Sequence, residues 1–161
     1  MTYGLTLLSP IPRVRHKQTL SITSIMLFSL ISTTKKVLDK TEIESVIIPT
    51  MNGEIQVLPN HLPVLWVTQP GILKVQYIGR EVNYALGAGI YEVDEGGVRV
   101  IADMVDSGET IDEEAIAKKK EEAREFMKQA QKDGLHTSEE YLTAEEEILK
   151  QTALEQLAKR R

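Results

Sequence analysis

The chain has 161 residues, enough for one domain with an appendage or for two small domains, and no cysteine, which excludes disulfides, iron–sulfur ligation and thiolate nucleophiles. Its formal net charge of −5 gives no support to nucleic-acid binding, which favours a clustered basic surface. Aromatic residues contribute only 5%, so Val, Ile and Leu have to build the core.

The first acidic residue is Asp39, and the charged side chains before it are all basic: Arg13, Arg15, His16, Lys17, Lys35 and Lys36. A basic stretch ahead of the apolar run 22–31 suits a signal peptide, and the Ser/Thr-rich, acid-free composition suits an organellar transit peptide. The run is shorter than the ~20 apolar residues needed to span a bilayer. The reading adopted here is that residues 1–25 form a leader outside the folded unit, disordered or upstream of a functional start at Met26.

From Met26 to about Ile101 the hydrophobic pattern has period two. Leu73, Val75 and Tyr77 alternate with Lys74 and Gln76, and Val82, Tyr84 and Leu86 alternate with Asn83, with Gly79-Arg80 between the two runs as a hairpin connection. Further strands are expected at 27–32, 43–48, 54–58, 64–68, 90–93 and 98–101, with Glu95-Gly96-Gly97 turning the last pair. Short strands with turn signals and no helix among them predict an antiparallel, flattened β-sandwich or barrel over residues 26–103.

Residues 49–63 stand out within this region. Asn52-Gly53 signals a tight hairpin turn of the primed type, in which both residues take positive φ. Leu58-Pro59-Asn60-His61-Leu62-Pro63 follows, and its two prolines fix φ and remove amide donors, so the segment reads as a stiff exposed loop that presents polar groups to a partner.

The final part, residues 104–161, reads as a helical hairpin. Thr110 with Glu113 is a capping box, with Asp112 and Glu114 suiting the positive end of the helix dipole. Ile116, Ala123, Phe126 or Met127, and Ala130 share a face, and Gly134 is placed to cap the helix end. Thr137 with Glu140 opens a second helix carrying Tyr141, Ile148, Leu149 and Leu157. Ordering a residue costs about 1–2 kcal/mol of backbone entropy, whereas a buried Leu or Ile returns about 1.5–3 kcal/mol. An apolar stripe built largely from alanine therefore has to dock on the sandwich or on a partner.

No catalytic pattern emerges. His16, His61 and His136 are far apart in sequence and have no metal-ligand spacing. Gly87-Ala88-Gly89 begins like a dinucleotide fingerprint but lies among strands, so close strand approach is the better reading. Glu54 and His61 form a conceivable acid/base pair, but no nucleophile or oxyanion site accompanies them, and partner contact is the reading preferred for both. Lys118, Lys119 and Lys120 read as a solvated face balanced by nearby glutamates.

Several segments in order, namely Pro49-Thr50, Gly53-Glu54, Leu58-Pro59-Asn60-His61, Pro70-Gly71-Ile72-Leu73, Ala85-Leu86-Gly87-Ala88-Gly89 and Val98-Arg99-Val100-Ile101-Ala102-Asp103, resemble the epsilon subunit of F-type ATP synthases. The likeness runs from about Met26 to the C-terminus. It implies a non-catalytic rotor subunit without a cofactor or metal, seated on the gamma subunit and facing the c-ring. The implied setting is the cytoplasmic face of a bacterial plasma membrane or the equivalent organellar face. It also implies partner contacts at Asn52, Gly53, Glu54, Pro59, Asn60 and His61, with His61 beside Glu54 at the ring.

The resemblance further implies that the hairpin can restrain ATP hydrolysis, with Lys150, Lys159, Arg160 and Arg161 meeting the alpha/beta catalytic head. Two departures from the family pattern are informative. Some members bind ATP through Ile/Leu-Asp-x-x-Arg-Ala, but Ile111-Asp112 is followed here by Glu113-Glu114-Ala115, so ATP binding is expected to be weak or absent. The usual Gly-Gly pair is Ala88-Gly89, and the proline common after the first strand is missing near Thr33. A free-standing sandwich adaptor is the alternative.

Overall fold

The computed structural model describes residues 24–109 and 111–160. Ten strands precede two helices in the order β1 (Met26–Ser32), β2 (Lys36–Ile43), β3 (Ser45–Thr50), β4 (Gly53–Val57), β5 (Val64–Thr68), β6 (Gly71–Tyr77), β7 (Arg80–Leu86), β8 (Gly89–Asp94), β9 (Gly97–Ala102), β10 (Val105–Asp106), α1 (Glu113–Lys132) and α2 (Glu139–Ala158). Two five-stranded sheets, ordered β2-β1-β9-β8-β5 and β10-β7-β6-β3-β4, face each other as a sandwich. The period-two pattern explains the packing: alternate residues such as Phe28 and Leu30, Val46 and Ile48, Leu73 and Val75, and Val98 and Val100 are buried between the sheets. The expected leader falls almost wholly outside the described residues.

Several details differ from the sequence reading. Residues 43–48 are not one strand: Ile43 ends β2 and Ser45 starts β3. β2 itself was not expected, because its Lys and Asp residues suit an exposed edge and its pairing with β1 shifts register twice, once around Lys40 at φ 46° and again at Val37. β10 is a two-residue strand added to β7 beyond Ala102. The sandwich is also not wholly antiparallel, since β1 lies parallel to β9, with Leu30 opposite Val100.

The Asn52-Gly53 turn is likewise of another kind. Thr50 pairs with Gly53, leaving Met51 and Asn52 as the loop, and of the Asn52-Gly53 pair only Gly53, at φ 105°, is left-handed. Thr50 supplies the local order, its hydroxyl donating to the Gly53 carbonyl at 2.7 Å and accepting from the Asn52 amide at 3.3 Å. At Leu58-Pro59-Asn60-His61 the pattern is that of a type II turn: Pro59 fixes φ, Asn60 takes φ 66°, and the His61 amide donates to the Leu58 carbonyl at 3.1 Å.

Gly87 and Gly89 do permit close approach. A Cβ on Gly89 would lie 2.1 Å from the Ile101 carbonyl oxygen, and one on Gly87 would lie 1.9 Å from an Asp103 carboxylate oxygen. Near Thr33, where the family's proline is missing, the Ser32 hydroxyl accepts from the amides of Thr34 and Lys35 and organises the turn.

The helix caps sit later than the capping boxes suggested. Thr110 lies outside the described residues, and Asp112 caps α1, accepting from the amides of Glu114 and Ala115 at 3.1 and 3.0 Å. Ser138, not Thr137, caps α2, its hydroxyl accepting from the Tyr141 amide. Gly134 does close α1: at φ 73° it allows the Leu135 amide to reach the Ala130 carbonyl at 2.8 Å, with Gly134 itself donating to Gln131, a Schellman end.

The hairpin docks on the sandwich through α2. Ile72 and Ala85, paired across β6 and β7 on the face turned away from the main core, meet Ala153 and Leu157, with Met104, Ile111 and Leu154 around them. α1 lies on α2, burying Ile116 and Ala130, while Phe126 stays exposed. The docking required by the alanine-rich stripe is thus present within the chain.

Candidate partner interface

The six residues implied as a contact surface divide into two groups. Asn52, Gly53 and Glu54 lie where β3 turns into β4, at the end of the sandwich that also holds the β5–β6 connection, because the Gln69 amide donates to the Pro49 carbonyl. Pro59, Asn60 and His61 follow the other end of β4, beside the Gly96-Gly97 turn and the start of β1, with which they line one open cleft. A strand advances about 3.3 Å per residue, so Glu54 and Val57 are already about 10 Å apart before that second turn begins. His61 therefore does not sit beside Glu54, and the two form neither an acid/base pair nor a single contact patch.

Glu54 has a different neighbour. The Lys74 ammonium on β6 donates to its carboxylate at 2.8 Å, reaching across β3 on the outer face of the sheet. Glu54 remains half exposed, so the pair leaves a carboxylate oxygen available to a second donor.

Two of the four basic residues assigned to the hairpin, Lys150 and Lys159, are engaged within the chain. Lys150 bridges Asp103 at the end of β9 and Glu146 of α2. Burial alone would lower the Lys150 pKa, but its hydrogen bonds to the two carboxylates outweigh that effect and hold it above the usual lysine value. Glu155 accepts from Lys120 of α1 at 2.7 Å and from Lys159 at 2.6 Å, and these bonds pull its carboxyl down to about 2. Arg160 is exposed at the end of α2, and Arg161 lies outside the described residues.

A surface that the sequence reading missed lies on the face of the first sheet turned away from the core. The registers place Val67 opposite Ile90, Ile90 opposite Ile101, and Ile101 opposite Ile31, an apolar row crossing β5, β8, β9 and β1. Ile31 is half-buried, whereas Val67, Ile90 and Ile101 are 46%, 43% and 39% exposed. Leu65 extends the patch along β5, and the neighbouring row carries the Arg99–Glu92 ion pair at 2.7 Å as a polar border. The hairpin docks on the other sheet, and among the described residues nothing covers this one. A signal for it existed: Val64-Leu65-Trp66-Val67 is apolar on both faces, although its strand lies at a sheet edge.

The geometry defines an interaction module: a rigid sandwich with one open apolar face, two polar turns at opposite ends and a docked helical arm. A family model described as the β-sandwich domain of the ATP synthase delta/epsilon chain matches residues 26–108. The ATP synthase epsilon chain of Herpetosiphon aurantiacus is 34% identical over 131 residues, spanning 81% of this chain and 93% of the relative. That of Chromobacterium violaceum is 32% identical over 129 residues, spanning 79% and 91%. Among solved structures, a chain of the Euglena gracilis mitochondrial ATP synthase, OSCP/F1/c-ring in rotational state 1, superposes with a TM-score of 0.66 at 26% identity, over 82% of this chain and 80% of that one. The chain belongs to the epsilon-subunit family of F-type ATP synthases and is a non-catalytic subunit.

Proposed function

We propose that the chain is a rotor component of the synthase's central stalk, seated on gamma through the open face of its first sheet and turned toward the c-ring at one end. The observation that carries this reading is the row of Val67, Ile90, Ile101 and Ile31, uncovered among the described residues. Contiguous branched side chains on a rigid sheet gain burial only from a partner, and a part that transmits torque needs a stiff, extended contact of that kind. The Pro59-Asn60-His61 turn leads directly into β5, the edge strand of this sheet, and is assigned with it to the gamma contact. The Asn52-Gly53-Glu54 turn, polar and at the far end, is assigned to the polar loops of the c-ring.

Among the described residues no helix is long and apolar enough to cross a membrane. The chain is held at the membrane face by its neighbours, on the cytoplasmic side in bacteria or the equivalent organellar side. Restraint of ATP hydrolysis runs through the hairpin: Lys150 and Lys159 exchange their present carboxylate partners and, with Arg160 and Arg161, meet the catalytic head. ATP binding is weak or absent, because the guanidinium anchor is missing after Ile111-Asp112.

The test of the reading is stoichiometric co-purification with gamma and the c-ring from the source membrane. Recovery of the chain alone, or with an unrelated protein, contradicts it. Truncation after Glu109, which keeps β10, should raise ATP hydrolysis by the assembled complex, and unchanged hydrolysis contradicts the restraint.

A further inference from the structure

We propose that the flank of the hairpin far from the sandwich is a docking groove for a basic amphipathic helix supplied by another protein. The stripe by which α1 faces α2 runs through Ile116, Ala123, Met127 and Ala130, and Phe126 stands just beside it. Phe126 is 45% exposed, although it is the largest apolar side chain on either helix. It forms one rim of an open groove of about 710 Å³ between the helices.

The walls have helical spacing on both sides, Lys119, Glu122 and Phe126 from α1 against Glu140, Ala144 and Glu147 from α2. Ala123 and Ala144 lie between them. Small residues on the floor let a third helix approach to the ~8–10 Å of ordinary helix packing, and an exposed aromatic at the rim offers it an anchor.

Charge selects the occupant. Glu122, Glu139, Glu140 and Glu147 line the groove against the single cation Lys119. An acidic loop is repelled there. A helix with an apolar stripe for Phe126 and the two alanines, flanked by Lys or Arg, satisfies both the floor and the rim. This site differs in sign from the contact proposed above for Lys150 and Lys159, and it stays open while α2 is docked on the sandwich.

Titration of the isotopically labelled full chain with a synthetic leucine–lysine heptad peptide tests the proposal, with a leucine–glutamate peptide as the control. Shift changes should concentrate on the amides around Ala123, Phe126, Thr143 and Ala144. Phe126→Ser, and separately the pair Glu122→Lys with Glu140→Lys, should weaken binding at least tenfold while far-UV ellipticity stays unchanged. The proposal is overturned if the perturbation falls on the sandwich or the outer helix faces, if the variants bind equally well, if the acidic peptide binds as tightly, or if the same amides shift on concentrating the protein alone, which would make a second copy the occupant.

Discussion

Lys150 of α2 and Asp103 at the end of β9 form the ion pair that ties the helical arm to the sandwich, with Glu146, one turn back on α2, accepting from the same ammonium at 2.7 Å. Because the folded-state pKa of Lys150 is raised, its contribution is fully present below the ordinary lysine value and is lost as pH rises through the folded one. Docking should therefore loosen on the alkaline side. Protection of α2 amides against hydrogen exchange, taken relative to the unstructured chain at the same pH, should fall above pH ~10 in the parent chain, and Lys150→Met should remove that fall. The partly exposed pair contributes about 1 kcal/mol or less.

Glu155 behaves in the opposite sense. Its carboxyl is held down to about 2 by Lys120 and Lys159, so its contribution is present above the ordinary carboxylate value and fades as pH falls toward the folded one. The pairing of α1 with α2 should weaken in acid between those limits, read as a loss of far-UV ellipticity. Glu155→Gln should flatten that part of the profile, leaving the sandwich transition where it is.

Leu157 tests the docking surface itself. It is buried against Ile72 and Ala85, and Leu157→Ala should cost about 2–3 kcal/mol through lost transfer energy and the cavity left behind. The loss should appear in hydrogen exchange of α2 and barely affect β3 or β9, whose buried residues belong to the separate core between the sheets.

Gly89→Ala probes the other end of β8. The new Cβ would meet the Ile101 carbonyl oxygen at 2.1 Å and the Ala102 Cα at 2.7 Å, backbone atoms that cannot turn aside. A destabilisation of about 1–3 kcal/mol is expected in denaturant unfolding. Gly53→Ala meets no atom within 4 Å, and its cost comes only from the positive φ.

The sandwich was legible because its strands carry their own signal. Leu73-x-Val75 and Val82-x-Tyr84 alternate in the sequence and sit opposite one another in the structure. β2 and β10 were hidden for reasons of edge position and length: one is charged and bulged, and the other is two residues long. The capping boxes placed both helices in the right region, but several adjacent residues could cap, and Asp112 caps α1 while Ser138, not Thr137, caps α2.

The interface was less legible, and the reason is geometric. Glu54 and His61 are near one another in sequence, which suggests adjacency, but β4 runs the length of the sandwich between them. Apart from the apolar run Val64-Leu65-Trp66-Val67 on β5, the row leaves no local pattern to find. It exists only once β5, β8, β9 and β1 are set in register, each strand contributing one residue.

The row is also where the account is most exposed to contradiction. Ile90→Asp with Ile101→Asp changes two side chains that already face solvent, so the thermal midpoint of the isolated chain should move by no more than a few degrees. The decisive measurement is the dissociation constant of this double variant for gamma, set beside that of the parent chain. Two carboxylates facing an apolar partner should raise it at least a hundredfold, whereas an unchanged constant would show that gamma does not sit on this face.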